Sequence, residues 1–278
     1  TLATAKLNLN ANINLIGING YEYQNITTNA ELASEFFNGK LKINDPLLKF
    51  QMDGSIDLRD NKNLINVTAD LDTINFKKLN ITKEDFILTA KGYLNGRGIS
   101  LDSIEGKSSL QNIYAVYRGN SIQLDSLSVN TSKQNGYRKL KINSDLFRAN
   151  IDGKYQFTQL QDDLFRTVKE YQLNIENDKS KLENYYNIID TTANLEEYKV
   201  NFDFLIKEIN PLTNLFLPEL YVKKGAVIKG QFHNGENSTI FIESSFDTIK
   251  YENYMFAKST IDLNFSKYHL SQDVLGIG

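Results

Sequence analysis

Residues 3–15, ATAKLNLNANINL, alternate between apolar and polar side chains at every position. The apolar set is Ala3, Ala5, Leu7, Leu9, Ala11, Ile13 and Leu15. This period of two predicts a β-strand with one dry face and one wet face, because successive side chains of a strand point to opposite faces. At ~3.4 Å per residue the strand would reach roughly 43 Å, against a usual length of ~17–20 Å. So long a dry face must be covered, either by a second protein layer or by a bound ligand.

The same alternation returns along most of the chain, and turn signals separate its runs. Five Asn-Gly pairs, at 19–20, 38–39, 95–96, 135–136 and 234–235, are predicted to form hairpin turns because both residues tolerate positive φ. Helical stretches do not alternate with the strands, so the sheet is predicted to be antiparallel. The expected fold is mainly β: an elongated, curled antiparallel sheet forming an open groove with an apolar interior, plus one amphipathic helix and one short helix.

Glycine recurs at dry-face positions inside the strands. The pattern apolar-x-Gly-x-apolar surrounds Gly54, Gly92, Gly153 and Gly230. Interior glycine weakens a strand and marks a bend, a bulge or a close approach to the backbone. Two interpretations stay open on the residues alone: a coil point in a strongly twisted sheet, or clearance for a ligand.

Residues 158–171 depart from the strand pattern and predict an amphipathic helix. Leu160, Leu164, Phe165 and Val168 recur at the spacing of one helical face. Such a helix either packs on an exposed part of the sheet or gates an open groove. In the second case these four residues are the gate.

A second helical segment is predicted at 210–218, where an asparagine cap precedes a proline and another proline follows the end. Residues 174–194 are polar and weakly periodic, and they predict a loop. The chain is therefore divided into a groove segment at 1–157, an insertion of helices and loop at 158–218 with a strand near 198–206, and a continuing groove segment at 219–278. We expect all of it to be one continuous fragment of a larger protein.

Composition excludes several classes of function. The chain has no cysteine, which removes disulfides, zinc fingers and a thiol nucleophile. Lysine and arginine total 31 against 34 aspartates and glutamates, for a net charge of -3, so no nucleic-acid partner is expected. No apolar run approaches the ~20 residues of a membrane helix.

Motifs for catalysis and metal binding are scarce. The two histidines, His233 and His269, are interpreted as surface residues, and no nucleophile elbow, His-Glu-x-x-His or Walker loop is present. Asp70 and Asp72 share the wet face of a strand at a spacing that could hold a cation, but no calcium loop surrounds them. The sequence predicts no enzymatic activity, no metal and no cofactor.

Three stretches carry a resemblance to a known family. They are GKLKINDPLLKFQMDGSIDL at 39–58, LDSLSV at 124–129 followed by LKINSDLFRANIDGKY at 140–155, and FLPEL at 216–220 leading into GAVIKG at 225–230. They are similar to the interior of TamB proteins of the Bacteroidetes type, members of the AsmA-like family. The resemblance covers nearly the whole chain and rests on strand and turn patterns.

The resemblance implies a large cell-envelope protein, anchored in the inner membrane by an N-terminal helix, that crosses the periplasm as a curled β-sheet with an apolar channel. Such proteins are implicated in phospholipid transport to the outer membrane and in outer-membrane biogenesis with a TamA-type barrel partner. We expect any contact with that partner to lie outside this stretch. The expected function is a segment of a lipid conduit whose dry faces shield acyl chains from water. The groove-facing residues are expected to be Leu7, Leu9, Ile13, Leu15, Phe50, Met52, Ile56, Val67, Leu71, Phe86, Leu88, Ile151, Val200, Phe202, Phe204, Ile228, Ile261, Leu263 and Phe265.

Three alternatives share the alternating pattern. An assembly factor or chaperone acting with a TamA-type barrel would present the same groove to unfolded β-strands. A closed, dry β-sandwich would serve as a binding module. An outer-membrane barrel would also alternate, but it would show aromatic girdles, and this chain has no tryptophan.

Overall fold

The computed structural model describes residues 6–59, 63–176, 179–188, 196–235, 237–268 and 274–277. Residues 3–5 of the alternating stretch and His269 lie outside these ranges. The strands are β1 Leu7–Ile18, β2 Tyr21–Ala33, β3 Phe36–Asn44, β4 Leu48–Asp57, β5 Leu64–Asn75, β6 Phe86–Arg97, β7 Glu105–Tyr117, β8 Asn120–Gln134, β9 Tyr137–Ser144, β10 Phe147–Lys154, β11 Tyr198–Ile206, β12 Leu220–Val222, β13 Val227–Asn234, β14 Asn237–Tyr251, β15 Tyr254–Tyr268 and β16 Val274–Ile277. The helices are α1 Phe157–Glu176, α2 Lys179–Ile188 and α3 Asn210–Phe216.

The strands form one open antiparallel sheet, which confirms the predicted mainly β class. Helix α1 contains the predicted amphipathic segment, and α3 is the predicted short helix. Within the described residues β1 and β16 end the pairing order and do not pair with each other, so the sheet is open.

The chain divides into two compact units. Unit 1 comprises Thr1–Thr131, Lys141–Phe147 and Glu208–Tyr221, and unit 2 comprises Ser132–Leu140, Arg148–Lys207 and Val222–Gly278. In unit 1, β1 to β8 pair in chain order through antiparallel ladders. In unit 2, the ladders run from β11 to β13, β14, β15 and β16.

Three of the predicted Asn-Gly turns lie in strand connections. Asn19-Gly20 joins β1 to β2 with φ values of 53° and 75°, and Asn135-Gly136 joins β8 to β9 with 51° and 78°. Gly235 of the third pair follows the last residue of β13. The pairs at 38–39 and 95–96 lie inside β3 and β6, so the turns predicted there are wrong.

The interior glycines lie where a neighbouring strand passes too close for a side chain. A Cβ atom on Gly54 would stand 2.1 Å from the carbonyl oxygen of Asn66, and its φ of +145° also favours glycine. The corresponding distance to a neighbouring carbonyl oxygen is 2.1 Å at Gly92 and Gly153 and 2.2 Å at Gly230. Close approach of adjacent strands therefore accounts for the recurring glycines, as expected at coil points of a twisted sheet.

The end of α1 and all of α2 lie where the sequence predicts a loop, so the loop prediction is wrong for residues 174–176 and 179–188. Tyr185 packs against Leu173 of α1, which is 3% exposed, and the Lys181 ammonium lies 3.0 Å from a carboxylate oxygen of Glu176. Helices gain most of their stability from such packing, which a polar segment does not reveal in sequence. Residues 189–194 of the predicted loop lie outside the described ranges.

The N-cap of helix α3 lies one residue before the predicted one. This N-cap is Ile209 and not Asn210, and no side chain caps the first turn. Asn210 instead donates a 2.9 Å hydrogen bond to Glu208 Oε1. The proline near the helix start is placed as predicted, because its fixed φ suits the first turn.

Candidate functional site: the apolar face of the sheet

Antiparallel pairing aligns the apolar positions of unit 1 into rows that run across the strands. Directly opposite residues of a ladder share a face, so the register decides which side chains become neighbours. One row consists of Leu9, Ala30, Gly39, Gly54, Val67 and Leu94, the next of Ala11, Thr28, Leu41, Met52, Ala69 and Gly92, and a third of Ile13, Ile26, Ile43, Phe50, Leu71 and Ala90. These rows form a mainly apolar face that is continuous over six strands.

Most side chains of this face are half-buried, whereas Ile26, Ala30 and Ala90 are buried. Of the three described helices only α3 belongs to unit 1, and none of its residues is buried. Helix α3 contacts the sheet at Tyr117, the partner of Phe86, where the ring centroid of Phe216 lies 5.9 Å from that of Tyr117. The predicted groove residues that are half-buried here are Leu9, Ile13, Phe50, Met52, Ile56, Val67, Leu71, Phe86 and Leu88, whereas Leu7 and Leu15 near the ends of β1 are exposed.

In unit 2, helix α1 covers part of the apolar face. The buried cluster beneath it contains Tyr155, Tyr198, Val200, Phe232 and Ile240. Among the partly buried side chains packed against this cluster are Ile151, Leu160, Leu164 and Phe265. Val200 is 2% exposed and Phe232 is 1% exposed, so this part of the sheet has an ordinary dry core.

The next two rows of unit 2 are less deeply buried. Phe202 pairs with Gly230 and Phe204 with Ile228, and all three side chains are half-buried. Leu263 is half-buried in β15, while Ile261, two positions earlier in the same strand, is exposed. Two positions along a strand measure ~7 Å. The apolar face thus changes from covered to half-exposed over a short distance.

The four predicted gate residues lie on two sides of α1. Leu160 and Leu164 pack against the core cluster. Phe165 is 67% exposed and Val168 is 60% exposed, so neither contributes to that packing. The structure therefore brings the two leucines together with the apolar face and leaves the other two in solvent. Gating by this helix stays a prediction.

Buried polar and aromatic contacts hold α1 on the sheet. The Tyr198 hydroxyl donates a 2.6 Å hydrogen bond to Asp163 Oδ2, and Arg166 forms an ion pair with the same carboxylate. The ring centroid of Tyr171 lies 4.5 Å from that of Phe265. Burial raises the pKa of Tyr171 to about 12, and burial together with the Asp163 carboxylate raises the pKa of Tyr198 further. Sequence reasoning did not identify these contacts, because asparagine-rich and tyrosine-rich segments offer many such pairs.

The opposite face of unit 1 is polar and carries cross-strand ion pairs. The closest nitrogen and oxygen atoms are 2.9 Å apart in Lys91–Asp70 and 4.0 Å apart in Lys49–Asp72. Hydrogen bonding to Asp70 raises the pKa of Lys91. Asp70 and Asp72, whose spacing alone could have held a cation, thus each face a lysine. Exposed pairs of this type add little stability.

Metal-ligating clusters are not found in the described parts of the chain, where no group of three or more His, Cys, Asp and Glu side chains comes together. His233 is half-buried, and its Nε2 atom lies 3.1 Å from Glu197 Oε1. Its Nδ1 atom lies 3.2 Å from the Asn237 carbonyl oxygen.

Several residues of the apolar rows are missing from the predicted groove set. Ile26, Leu41 and Ile43 stand in the same rows as Met52 and Phe50. The turn predicted at 38–39 lies inside β3 and separates Leu41 and Ile43 from the start of their strand, whereas Ile26 lies in β2.

No described helix is long and apolar enough to span a membrane. No family model matches the chain, no curated protein is significantly similar to it, and no solved structure matches its fold.

Proposed function

We propose that this chain is a segment of a periplasmic lipid conduit that shields phospholipid acyl chains on their way between the inner and outer membranes. The observation that carries the proposal is the set of mostly half-buried apolar rows in unit 1. An apolar face of this extent is typical of an interaction surface. The resemblance of the sequence to the TamB interior supports the choice of lipid.

The dimensions of the apolar rows suit an acyl chain. From Leu7 to Ile13 the dry face of β1 spans six residue steps, or ~20 Å at ~3.4 Å per residue. One leaflet of a bilayer contributes about half of a hydrocarbon core ~30 Å thick. A single acyl chain lying along the strands would therefore fit within the width of the face.

The driving force would be solvation alone. Each methylene kept out of water is worth ~0.8 kcal/mol, so two bare acyl chains crossing water face a barrier of tens of kcal/mol. A track of similar rows lowers that barrier without binding tightly at any one position. This function needs no catalytic group, metal or cofactor.

The polar face would meet the periplasm while the apolar face holds the lipid. By the same resemblance, the full-length protein would be anchored in the inner membrane, and a TamA-type barrel would be reached through regions outside this chain.

An assembly factor for outer-membrane proteins is the second candidate. It is supported by the same apolar rows, because such a face would also shield the apolar side chains of an unfolded β-strand.

A photo-crosslinking residue placed on either face tests the proposal in cells. Val67 and Leu71 belong to the apolar rows, whereas Thr68 stands opposite Asp53 and Tyr93 on the polar face. We expect phospholipid to be captured from positions 67 and 71 and not from position 68. Equal capture from both faces would indicate nonspecific membrane contact and would contradict the conduit. Capture of polypeptide alone from positions 67 and 71 would favour the assembly factor.

A further inference from the structure

The polar face of unit 1 contains a depression that the lipid proposal does not use. It has a cavity volume of about 870 Å³ and is lined by residues of β1 to β7. The lining side chains on this face are those that alternate with the apolar rows, such as Gln51, Thr68 and Gln111. The depression therefore lies on the side of the sheet opposite to the apolar face.

The charges in the depression are nearly balanced. Its lining contains three lysines and two aspartates. Two of the lysines are paired: Lys40 Nζ lies 3.4 Å from Asp53 Oδ2, and Lys91 Nζ lies 2.9 Å from Asp70 Oδ2. A polyanion such as a nucleic acid requires several unpaired cations, so it does not suit this surface.

The floor of the depression is the interior of a fully paired ladder. Strands β2 to β6 each pair on both sides, so their backbone groups are already engaged. An extended peptide binds a sheet by adding to a free edge, which β2 to β6 do not offer. Recognition must therefore come from side chains.

Those side chains suit a ligand that is rich in hydroxyl groups. Glutamine amides, and the hydroxyls of Thr68 and Ser109, can each donate and accept hydrogen bonds. Tyr93 is 47% exposed and offers an aromatic ring beside them. The Asp70 carboxylate is 32% exposed and pairs with Lys91 through Oδ2, so its exposed oxygen can accept a further hydrogen bond from a ligand hydroxyl.

We propose that this depression binds an oligosaccharide. Tyr93 would stack against the apolar face of one sugar ring, and Gln51, Gln111 and Ser109 would exchange hydrogen bonds with the sugar hydroxyls. Asp70 would accept a hydrogen bond from the hydroxyl nearest to it. The site is independent of the apolar face, so the chain would contact lipid on one side and glycan on the other.

Isothermal titration of the whole chain with cellohexaose, chitohexaose, maltohexaose and hexagalacturonate tests this site. We expect saturable binding of at least one neutral hexasaccharide, weakened at least ~tenfold by Tyr93→Ala. Tyr254→Ala is the matched control, because Tyr254 is an exposed tyrosine of β15 outside the depression, and it should bind as the wild type does.

A second variant, Asp70→Asn, keeps the shape of the side chain and should also weaken binding of the neutral sugar. Binding of hexagalacturonate alone would overturn the proposal in favour of an anion site. Absence of binding for all four sugars at ~1 mM, or unchanged affinity in Tyr93→Ala, would overturn it as well.

Discussion

The hydroxyl of Tyr198 donates a 2.6 Å hydrogen bond to Oδ2 of Asp163, and both residues are buried. The bond joins β11 to α1 at the place where the apolar face passes beneath the helix. A buried carboxylate that lost its partner would pay a large desolvation penalty. This pair therefore holds the helix on the sheet in addition to the packing of Leu160 and Leu164. In unit 2 the cover of the apolar side of the sheet is therefore a docked helix with a polar attachment.

Tyr198→Phe should destabilise unit 2 while leaving its aromatic packing in place. The ring of Tyr198 lies 6.0 Å from that of Phe232, and phenylalanine preserves this contact. Loss of a hydrogen bond to a charged group costs ~1.5–3 kcal/mol, which urea denaturation would measure. Tyr254→Phe, at an exposed position, should change the free energy of unfolding very little. Equal stabilities of the two variants would show that the Asp163 contact contributes nothing.

Alkaline pH should lower the free energy of unfolding of unit 2, because several of its tyrosines are buried. Burial raises the pKa of Tyr155, Tyr171 and Tyr185 from 10.0 to about 12. Between pH 10 and pH 12 the unfolded chain therefore binds fewer protons than the folded chain, so the free energy of unfolding falls as pH rises. The stabilising contribution is fully present below pH 10. Phenolate absorbance against pH would measure it, and a single transition near pH 10 for all tyrosines would contradict the burial.

Charges placed at neighbouring positions of α1 should have opposite consequences. Leu164→Asp puts a carboxylate against the core cluster and should cost several kcal/mol, because a buried unpaired charge is strongly destabilising. Phe165→Asp lies in solvent and should change stability by less than ~0.5 kcal/mol. Thermal melts followed by circular dichroism compare the two. A stable, dye-binding Leu164→Asp protein would instead support a helix that opens like a gate.

The period of two was sufficient to predict the faces of the sheet. Val67 and Leu71 fall in apolar rows, and Thr68 falls in a polar row, because alternation is fixed by strand geometry wherever pairing is regular. The amphipathic stripe of α1 likewise predicted a helix. These features depend on neighbours in sequence, which is why a single chain reveals them.

Features that depend on neighbours in space were not predictable in the same way. Asn38-Gly39 has the composition of a hairpin turn, yet Gly39 stands opposite Gly54 in the middle of a ladder. Whether a glycine lies in a turn or at a close contact between strands depends on the partner strand, and the local sequence does not identify that strand. The same holds for Phe165 and Val168, whose exposure depends on which side of α1 meets the sheet.

Gly54→Ala should test the account of the interior glycines. Its methyl group would stand 2.1 Å from the Asn66 carbonyl oxygen at a positive φ, so we expect a loss of ~2–3 kcal/mol in the free energy of unfolding. Gly17→Ala is the matched control in β1, where nothing lies within 4 Å of the added methyl. That variant should be neutral or slightly more stable, since alanine restricts the unfolded chain. Equal costs at both positions would mean that strand propensity, and not close approach, explains the effect.

Leu71→Asp should interrupt the proposed lipid track without unfolding the sheet. Leu71 is half-buried in the row that contains Phe50 and Ala90, so a carboxylate there remains partly hydrated while it lies directly in the path of an acyl chain. Transfer of a fluorescent phospholipid between vesicles by the purified chain should therefore fall sharply, because a charge beside an acyl chain costs several kcal/mol. Thr68→Asp places the same charge in the same strand on the polar face and should transfer lipid normally. Normal transfer by a folded Leu71→Asp protein would show that the apolar rows do not carry the lipid, since any acyl chain that follows this row must pass position 71.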